Sequence, residues 1–283
     1  MIDAILFPCM MDSINEIDWS FESEYAAARE CDGFEIFFYD YDQFVRDGKL
    51  ILDHQPVEET LTVLRGWMLN DKQYGQFYNQ LLARNIRLIT NPEQYKTMHL
   101  FPNVYPLIAE DTPEILVYPD GADIDVEYIK SKFKCFIVKD YVKSEKGTDF
   151  PKYFNPTITQ EIFSQWLKVF RKYRGKLYTG GFCIKEYVEL KKYGERTNEW
   201  RVFYLGGHVL SVSKNSGQMD FINEVPQPLV GKYINLPSPF YTVDFAELAD
   251  GSWKILEAGD GQVSGLSDNQ NARAFFRALR IGF

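Results

Sequence analysis

The sequence predicts a mixed fold, α/β at the start and α+β beyond, divided between two packed lobes or domains. Three observations carry that expectation. The chain has 283 residues, long for one compact core. Its first hundred residues alternate short apolar runs with a helical pattern. Its second half holds two tight turns, Gly206-Gly207 and Asp250-Gly251, each flanked by aromatic and β-branched residues.

Each element can be justified in order. Apolar runs at 4–7 and 33–39 (GFEIFFY) read as strands, and RLIT at 87–90 as another. Between them, 73–83 reads as a helix, with Asp71 available as a cap and Asn85 as a stop. From 91 to 120 the chain is punctuated by Pro92, Pro102, Pro106, Pro113 and Pro119, which predicts a domain boundary near residue 110. Next, CFIVKDYV (135–142) reads as a strand running into a polar loop, KSEKG (143–147). A helix follows. Thr157 and Gln160 read as its capping box, Ile162, Phe163, Trp166, Leu167 and Phe170 as its apolar stripe, and Gly175 as its end. GFCIKEYVEL (181–190) is another strand. Folding 200–205 onto 208–213 about Gly206-Gly207 pairs Glu199 with Lys214 and Arg201 with Val212, so Glu199, Arg201 and Lys214 share one face. A helix at 269–279 closes the chain.

Composition narrows the function. Hydrophobic residues at 45% and aromatics at 16%, including 22 Phe and 18 Tyr, allow a sizeable core without disulfides. A net charge of −9 argues against broad nucleic-acid binding or attachment to anionic membranes. Cys9, Cys31, Cys135 and Cys183 form no C-x-x-C and have no nearby histidine, the pattern of buried thiols in a reducing cytoplasm. With only His54, His99 and His208, a polyhistidine metal site is not expected. No apolar run approaches the roughly 18–20 residues that span a bilayer, and the start lacks a signal-peptide pattern. The expected location is the cytoplasm.

The most informative feature is the last hairpin, YTVDFAELADGSWKILEAGD. Folding it symmetrically about Asp250-Gly251 sets Asp244 opposite Glu257. Like charges directly opposed weaken a sheet unless something neutralises them. A hard divalent cation does so, and magnesium takes phosphate oxygens along with carboxylates. A metal–nucleotide site is therefore the first functional hypothesis, against a plain surface hairpin with fortuitous acids.

The order of FIVKDYVKSEKG, CIKEYVEL, NEWRVFYLGGHV and VDFAELADGSWKILEAGDGQ resembles the ATP-grasp superfamily over roughly residues 110–283. LRGWML and LITNPEQY in the first part resemble the domain that precedes ATP-grasp in an arginine- and lysine-named clade of predicted carboxylate–amine ligases. The resemblance implies an ATP-grasp fold, two α+β lobes sandwiching a nucleotide, at 111–283 (lobes about 111–185 and 186–283), behind a small α/β domain at 1–110.

It also implies roles. Lys139 would contact nucleotide phosphate, or else pair with a neighbouring acid. The loop from Ser144 to Gly147 would close over the phosphates. Lys185, Glu186, Tyr187 and Val188 would line the adenine along the strand joining the lobes, and Glu189 the ribose, although Glu186 and Glu189 also suit ordinary exposed positions. Arg201 and Lys214 would stabilise the transferred phosphoryl group, with a plain Glu199–Lys214 ion pair as the alternative. Arg65 and Glu199 would serve substrate. Asp244 and Glu257 would hold magnesium. Where most members carry Glu-x-Asn, this chain has Glu257-Ala258-Gly259-Asp260. Either Asp260 replaces the missing amide, or one metal position is weakened. The implied activity is ATP-dependent ligation through an acyl phosphate, joining a small-molecule or peptide carboxylate to an amine. A kinase that stops at the first step and a non-catalytic nucleotide binder are the alternatives.

Overall fold

The computed structural model describes residues 1–220 and 222–282. Strands β1 (Ala4–Met10), β2 (Ser13–Ile17), β3 (Glu35–Tyr39), β4 (Thr60–Leu64) and β5 (Ile86–Leu88) form one sheet. β3, β4 and β5 run parallel within it, and β2 pairs antiparallel with the end of β1. Helices α1 (Glu22–Arg29), α2 (Tyr41–Asp47) and α3 (Asp71–Leu82) supply the connections, as parallel strands require. The cap of α3 is Asn70 rather than Asp71, in a reciprocal capping box with Gln73. Asn85 does stop the helix, adopting a left-handed φ of 63°.

The proline-punctuated stretch is structured. Pro92 opens α4 (Pro92–His99), and Pro102 lies in the first turn of α5 (Phe101–Ile108), where a missing N–H costs little. β6 (Ile115–Pro119), β7 (Phe136–Asp140) and β8 (Gly181–Glu186) then form an antiparallel sheet in the order β6-β8-β7. It packs against α6 (Val126–Lys132) and α7 (Gln160–Arg174) through Phe136, Val138, Ile184, Phe163 and Phe170. Thr159 caps α7, not Thr157, because the Gln160 amide is engaged by Val126 N and Ile124 O in the approach to α6. Ile162 accordingly turns outward, while Gly175 ends the helix as expected.

The chain leaves β8 at Glu186, earlier than the sequence pattern implies, and forms the short ribbon β9 (Lys192–Tyr193) and β10 (Arg196–Thr197). The final sheet runs β12-β11-β13-β14, from β11 (Glu199–Leu205), β12 (His208–Lys214), β13 (Phe240–Glu247) and β14 (Trp253–Asp260), with α8 (Gln227–Lys232) in the connection. One face packs on Met98, Phe101 and Val104 from α4 and α5. At one end of the opposite face, Phe203, Leu205 and Phe240 share a core with the first sheet, α1 and the last helix α9 (Ala272–Ile281). The N-terminal unit is thus welded to the last sheet, and the acidic hairpin faces the three-stranded sheet across a cleft. No described helix is long and apolar enough to cross a membrane.

Candidate functional site

β13 and β14 bring Asp244 directly opposite Glu257, by a less simple route than symmetric folding. The loop is odd-numbered, so Glu247 faces Trp253 and Phe245 faces Ile255. Left alone, that register would set Asp244 against Leu256. A bulge between Asp244 and Phe245 makes Leu256 the extra residue and restores the acid pair. Arg201 on β11 is Asp244's partner on the other side, and its guanidinium grips the carboxylate at both ends, Nε–Oδ1 2.8 Å and Nη2–Oδ2 2.6 Å.

Across the cleft, Lys139 on β7 and Lys185 on β8 leave the same face of their sheet. Both are buried. Lys139 Nζ lies 3.4 Å from Glu257 Oε1, and Lys185 Nζ donates to the carbonyl of the bulged Leu256. The Phe101 ring of α5 underlies both ammonium groups, at 4.5 Å and 5.0 Å from its centroid. Burial and the neighbouring Lys139 lower Lys185 to about 7. Burial alone would raise Glu257, but Lys139, Lys146, Lys185 and Arg201 hold it down at about 2, so it is ionised. Cations therefore outnumber acids at this end of the cleft, which suits a polyanion.

Lys139, Ser144, Lys185, Glu186, Val188, Glu189, Glu199, Arg201, Asp244 and Glu257 all line one cleft of about 590 Å³. Tyr187 lies among them, its ring tilted against that of Tyr153. Ile137 from one lobe and Leu256 from the other form apolar walls beside segment 186–190, an arrangement suited to a flat base. The loop after β7 is anchored at its root by Asp140, whose Oδ1 accepts from Val142 N and Lys143 N while Oδ2 accepts from Arg174.

Four expected positions lie elsewhere. A bulge between Phe203 and Tyr204 shifts the Gly206-Gly207 hairpin by one, so Lys214 pairs with Trp200 and Arg201 with Ser213. Adjacent strand positions face opposite sides, so Lys214 leaves the Arg201 face and bonds Met219 O and Asp220. Arg65 is wholly buried, bidentate to Glu24 and bonded to Gly261 O and Ser264 O, with no surface for substrate. Asp260 lies three residues beyond Glu257, its side chain on the other face of β14, and it lines only a smaller chamber behind the acid pair, not the cleft. Its Oδ1 accepts from Gln262 N, and its surroundings are Tyr74, Tyr95 and Thr90 of the N-terminal unit. Gly147 lies in the loop but does not line the cleft. Residues that sequence reasoning passed over are Lys146 and Asn215 on the cleft wall, and Phe101 and His99 from α5 and α4. Lys146 was legible in the loop motif; the others reach the site only through tertiary packing.

The donor set fits one magnesium ion. Among the described residues no cluster of three or more His, Cys, Asp or Glu side chains could hold a metal. Asp244 and Glu257, directly opposed, supply hard carboxylate oxygens, and magnesium commonly takes one or two carboxylates and completes its shell with phosphate and water. Gly259 shares their face of β14. A Cβ there would meet only Ser264 Oγ at 3.6 Å and Thr242 Oγ1 at 3.7 Å, ordinary contacts, so the missing amide leaves usable space.

Residues 130–279, more than half of the chain, match the model of an ATP-grasp domain family, the third family of the clade named for its arginine and lysine residues. The chain belongs to this ATP-grasp family. The same architecture recurs in solved ATP-grasp structures. The D-cycloserine synthetase DcsG is similar with a TM-score of 0.63 at 16% identity, over 98% of each chain. The D-alanine-D-alanine ligase from Coxiella burnetii has a TM-score of 0.60 at 9% identity, covering 94% of this chain and 86% of its own. The ATP-grasp ligase PsnB, complexed with minimal precursor, Mg and ADP, has a TM-score of 0.57 at 12% identity, over 98% and 97% of the two chains. At such identities the likeness is one of fold. No curated protein matches the sequence.

Proposed function

We propose that this ATP-grasp protein is an ATP-dependent carboxylate–amine ligase. One observation carries the reading. Lys139, Lys185, Lys146 and Arg201 converge on the Asp244–Glu257 pair in a single cleft, bounded at its far end by the strand exit 186–190. A nucleotide lying along it would have its base between Ile137 and Leu256 and its phosphates among the cations. Asp244 and Glu257 would hold the magnesium, which offsets phosphate charge when bound. The protein's own work is then positioning and charge neutralisation, with no serine, cysteine or histidine nucleophile.

In this reaction a substrate carboxylate oxygen attacks the γ-phosphorus and the bond to ADP breaks, giving an acyl phosphate. The amine then attacks the acyl carbon, inorganic phosphate leaves, and the nitrogen sheds its proton. Lys139 and Lys185 would neutralise the polyphosphate. Arg201, held in register by Asp244, would meet charge developing on the transferred group. The loop at 143–147 would exclude water that otherwise hydrolyses the acyl phosphate.

Gly259 favours a second reading, nucleotide binding without turnover, because a family-typical third metal donor is missing. ADP release in the presence of hydroxylamine, which traps acyl phosphates, decides between the two when measured over a panel of carboxylic acids, amino acids and peptides that can supply the acyl group. Trapped hydroxamate supports the ligase. ATP binding without ADP release supports the binder, and a stable phosphorylated product supports a kinase.

A further inference from the structure

β8 ends at Glu186, and the chain that leaves it is carried by the last sheet. Ala249 N donates to Glu189 O, Lys191 N to Glu247 O, and Glu247 N to Asn198 O. Along these extended stretches neighbouring side chains turn to opposite sides. Leu190, Lys192, Thr197 and Glu199 line the cleft. The residues between and beside them, Lys191, Tyr193 and Asn198, reach back to a single carboxylate, that of Glu247 at the end of β13.

Glu247 is 1% exposed, and each of its oxygens accepts two hydrogen bonds. Oε1 takes Lys191 Nζ at 2.8 Å and Asn223 Nδ2 at 2.7 Å. Oε2 takes Tyr193 OH at 2.9 Å and Asn198 Nδ2 at 2.7 Å. Trp200 Nε1 in turn donates to Asn198 Oδ1 at 2.8 Å, which fixes that amide. Burial alone would raise the carboxyl, but the bonds from Lys191, Asn198, Asn223 and Tyr193 hold it at about 2, so it is ionised. Apolar side chains fill space at least as well as a buried ion does. What a carboxylate with four donors adds is one fixed geometry for three separate stretches of chain.

We infer that Glu247 is a positioning residue for the nucleotide, holding from behind the wall that Leu190, Lys192, Thr197 and Glu199 present to the base and ribose. The inference rests on the nucleotide reading of the cleft. It separates the two ends of the ligand. Lys139, Lys185, Arg201, Asp244 and Glu257, which would meet the phosphates and the magnesium, stand on paired strands whose own ladders hold them. The wall around residues 190–199 depends on Glu247 instead, so loss of this carboxylate should loosen the hold on base and ribose and spare the hold on phosphate.

Inorganic tripolyphosphate, which has phosphates but no base or ribose, tells these apart. Calorimetric titration of the protein and of Glu247→Gln with magnesium–ATP and with magnesium–tripolyphosphate is the test, beside a thermal melt. Gln keeps the shape but sets an amide donor against two of the four donors. The variant is expected to bind ATP about tenfold more weakly, and tripolyphosphate less than about twofold more weakly. Should Glu247→Gln fail to fold, Tyr193→Phe removes one of the four bonds and no charge. It is expected to weaken ATP about threefold with the same sparing of tripolyphosphate. Equal losses for the two ligands would make Glu247 a support of the fold at large, and unchanged ATP affinity would free the wall from it; either result overturns the inference and leaves the nucleotide site standing. A parent protein that binds neither ligand removes the nucleotide reading and the inference together.

Discussion

The Phe101 ring lies 4.5 Å from the Lys139 ammonium and 5.0 Å from that of Lys185, so one aromatic face from α5 supports both cations of the opposite sheet. Two buried ammonium groups side by side repel, and the lowering of Lys185 records that cost. The ring's negative face offsets part of it before any nucleotide arrives. Phe101→Leu keeps most of the apolar volume and removes that face, forfeiting roughly 1 kcal/mol at each lysine. That loss falls on the nucleotide-free fold, so the melting temperature is expected to drop by a few degrees, with ATP affinity falling less than about fivefold as the lysines shift toward their uncharged forms. Titration with ATP and magnesium, beside a thermal melt, checks both; an unchanged melt would show that the ring only fills space.

The two acids should respond differently to neutralisation. Asp244 is gripped at both ends by a largely buried Arg201, whereas Glu257 is 47% exposed and meets Lys139 at one oxygen, 3.4 Å away. Burial raises the Asp244 carboxyl, and Asp244→Asn removes that buried charge while its amide oxygen can still accept from Arg201, so it is expected to cost less than about 1 kcal/mol of stability. Glu257 is held ionised by Lys139, Lys146, Lys185 and Arg201, and Glu257→Gln leaves the buried Lys139 without its counter-charge, so it is expected to cost about 2 kcal/mol. Both should lower ATP turnover at least about a hundredfold, the scale of losing one electrostatic stabiliser. Equal melting losses would overturn the asymmetry, and intact turnover in Glu257→Gln would remove the acid pair from the site.

How much of this was legible beforehand depended on whether the deciding contact was local. The Asp244–Glu257 pairing was read from turn chemistry and strand pattern, and it holds because an odd-numbered loop and the bulge at Leu256 cancel. The Gly206-Gly207 hairpin shows the opposite outcome. There the register starts as symmetry demands, a single uncompensated bulge follows, and Lys214 departs from the Arg201 face. Bulges leave little trace in one sequence, since they answer to twist and to packing on neighbouring strands. The family itself was legible because four motifs kept their order. Phe101 and His99 were not, because α4 and α5 lie in a proline-rich stretch whose apolar faces point at a sheet built from residues far along the chain.

Gly259 gives a gain-of-function prediction. Its position on the Glu257 face has room for a side chain, with the nearest atoms at 3.6 Å and 3.7 Å. Asn there adds an amide oxygen toward the acid pair without a new charge. Gly259→Asn is expected to fold normally and to lower the magnesium concentration for half-maximal ATP turnover several-fold, about 1 kcal/mol of added coordination. Magnesium titrations at saturating ATP compare the variant with its parent. An unchanged half-saturation would argue that the cation is not held against this face of β14.

Asp260 gives a stability prediction with a definite sign. Its side chain is fully buried, Oδ2 lies beside the Thr90 hydroxyl without a well-formed hydrogen bond, and burial raises the carboxyl from 3.8 to about 7. The folded protein therefore keeps a proton that the unfolded chain releases. Where the unfolded state binds fewer protons, stability falls as pH rises. The contribution is fully present below about pH 4, declines as pH climbs, and is lost above about pH 7. The gap corresponds to roughly 4 kcal/mol. Asp260→Asn keeps an oxygen for Gln262 N and has no charge to bury, so it should not suffer this decline. The variant is expected to gain on its parent in denaturant midpoint between pH 4 and pH 8, with the difference levelling off above about pH 7. Parallel curves across that range would mean that Asp260 stays ionised in the fold, and that its unpartnered oxygen has a cation or a water as company.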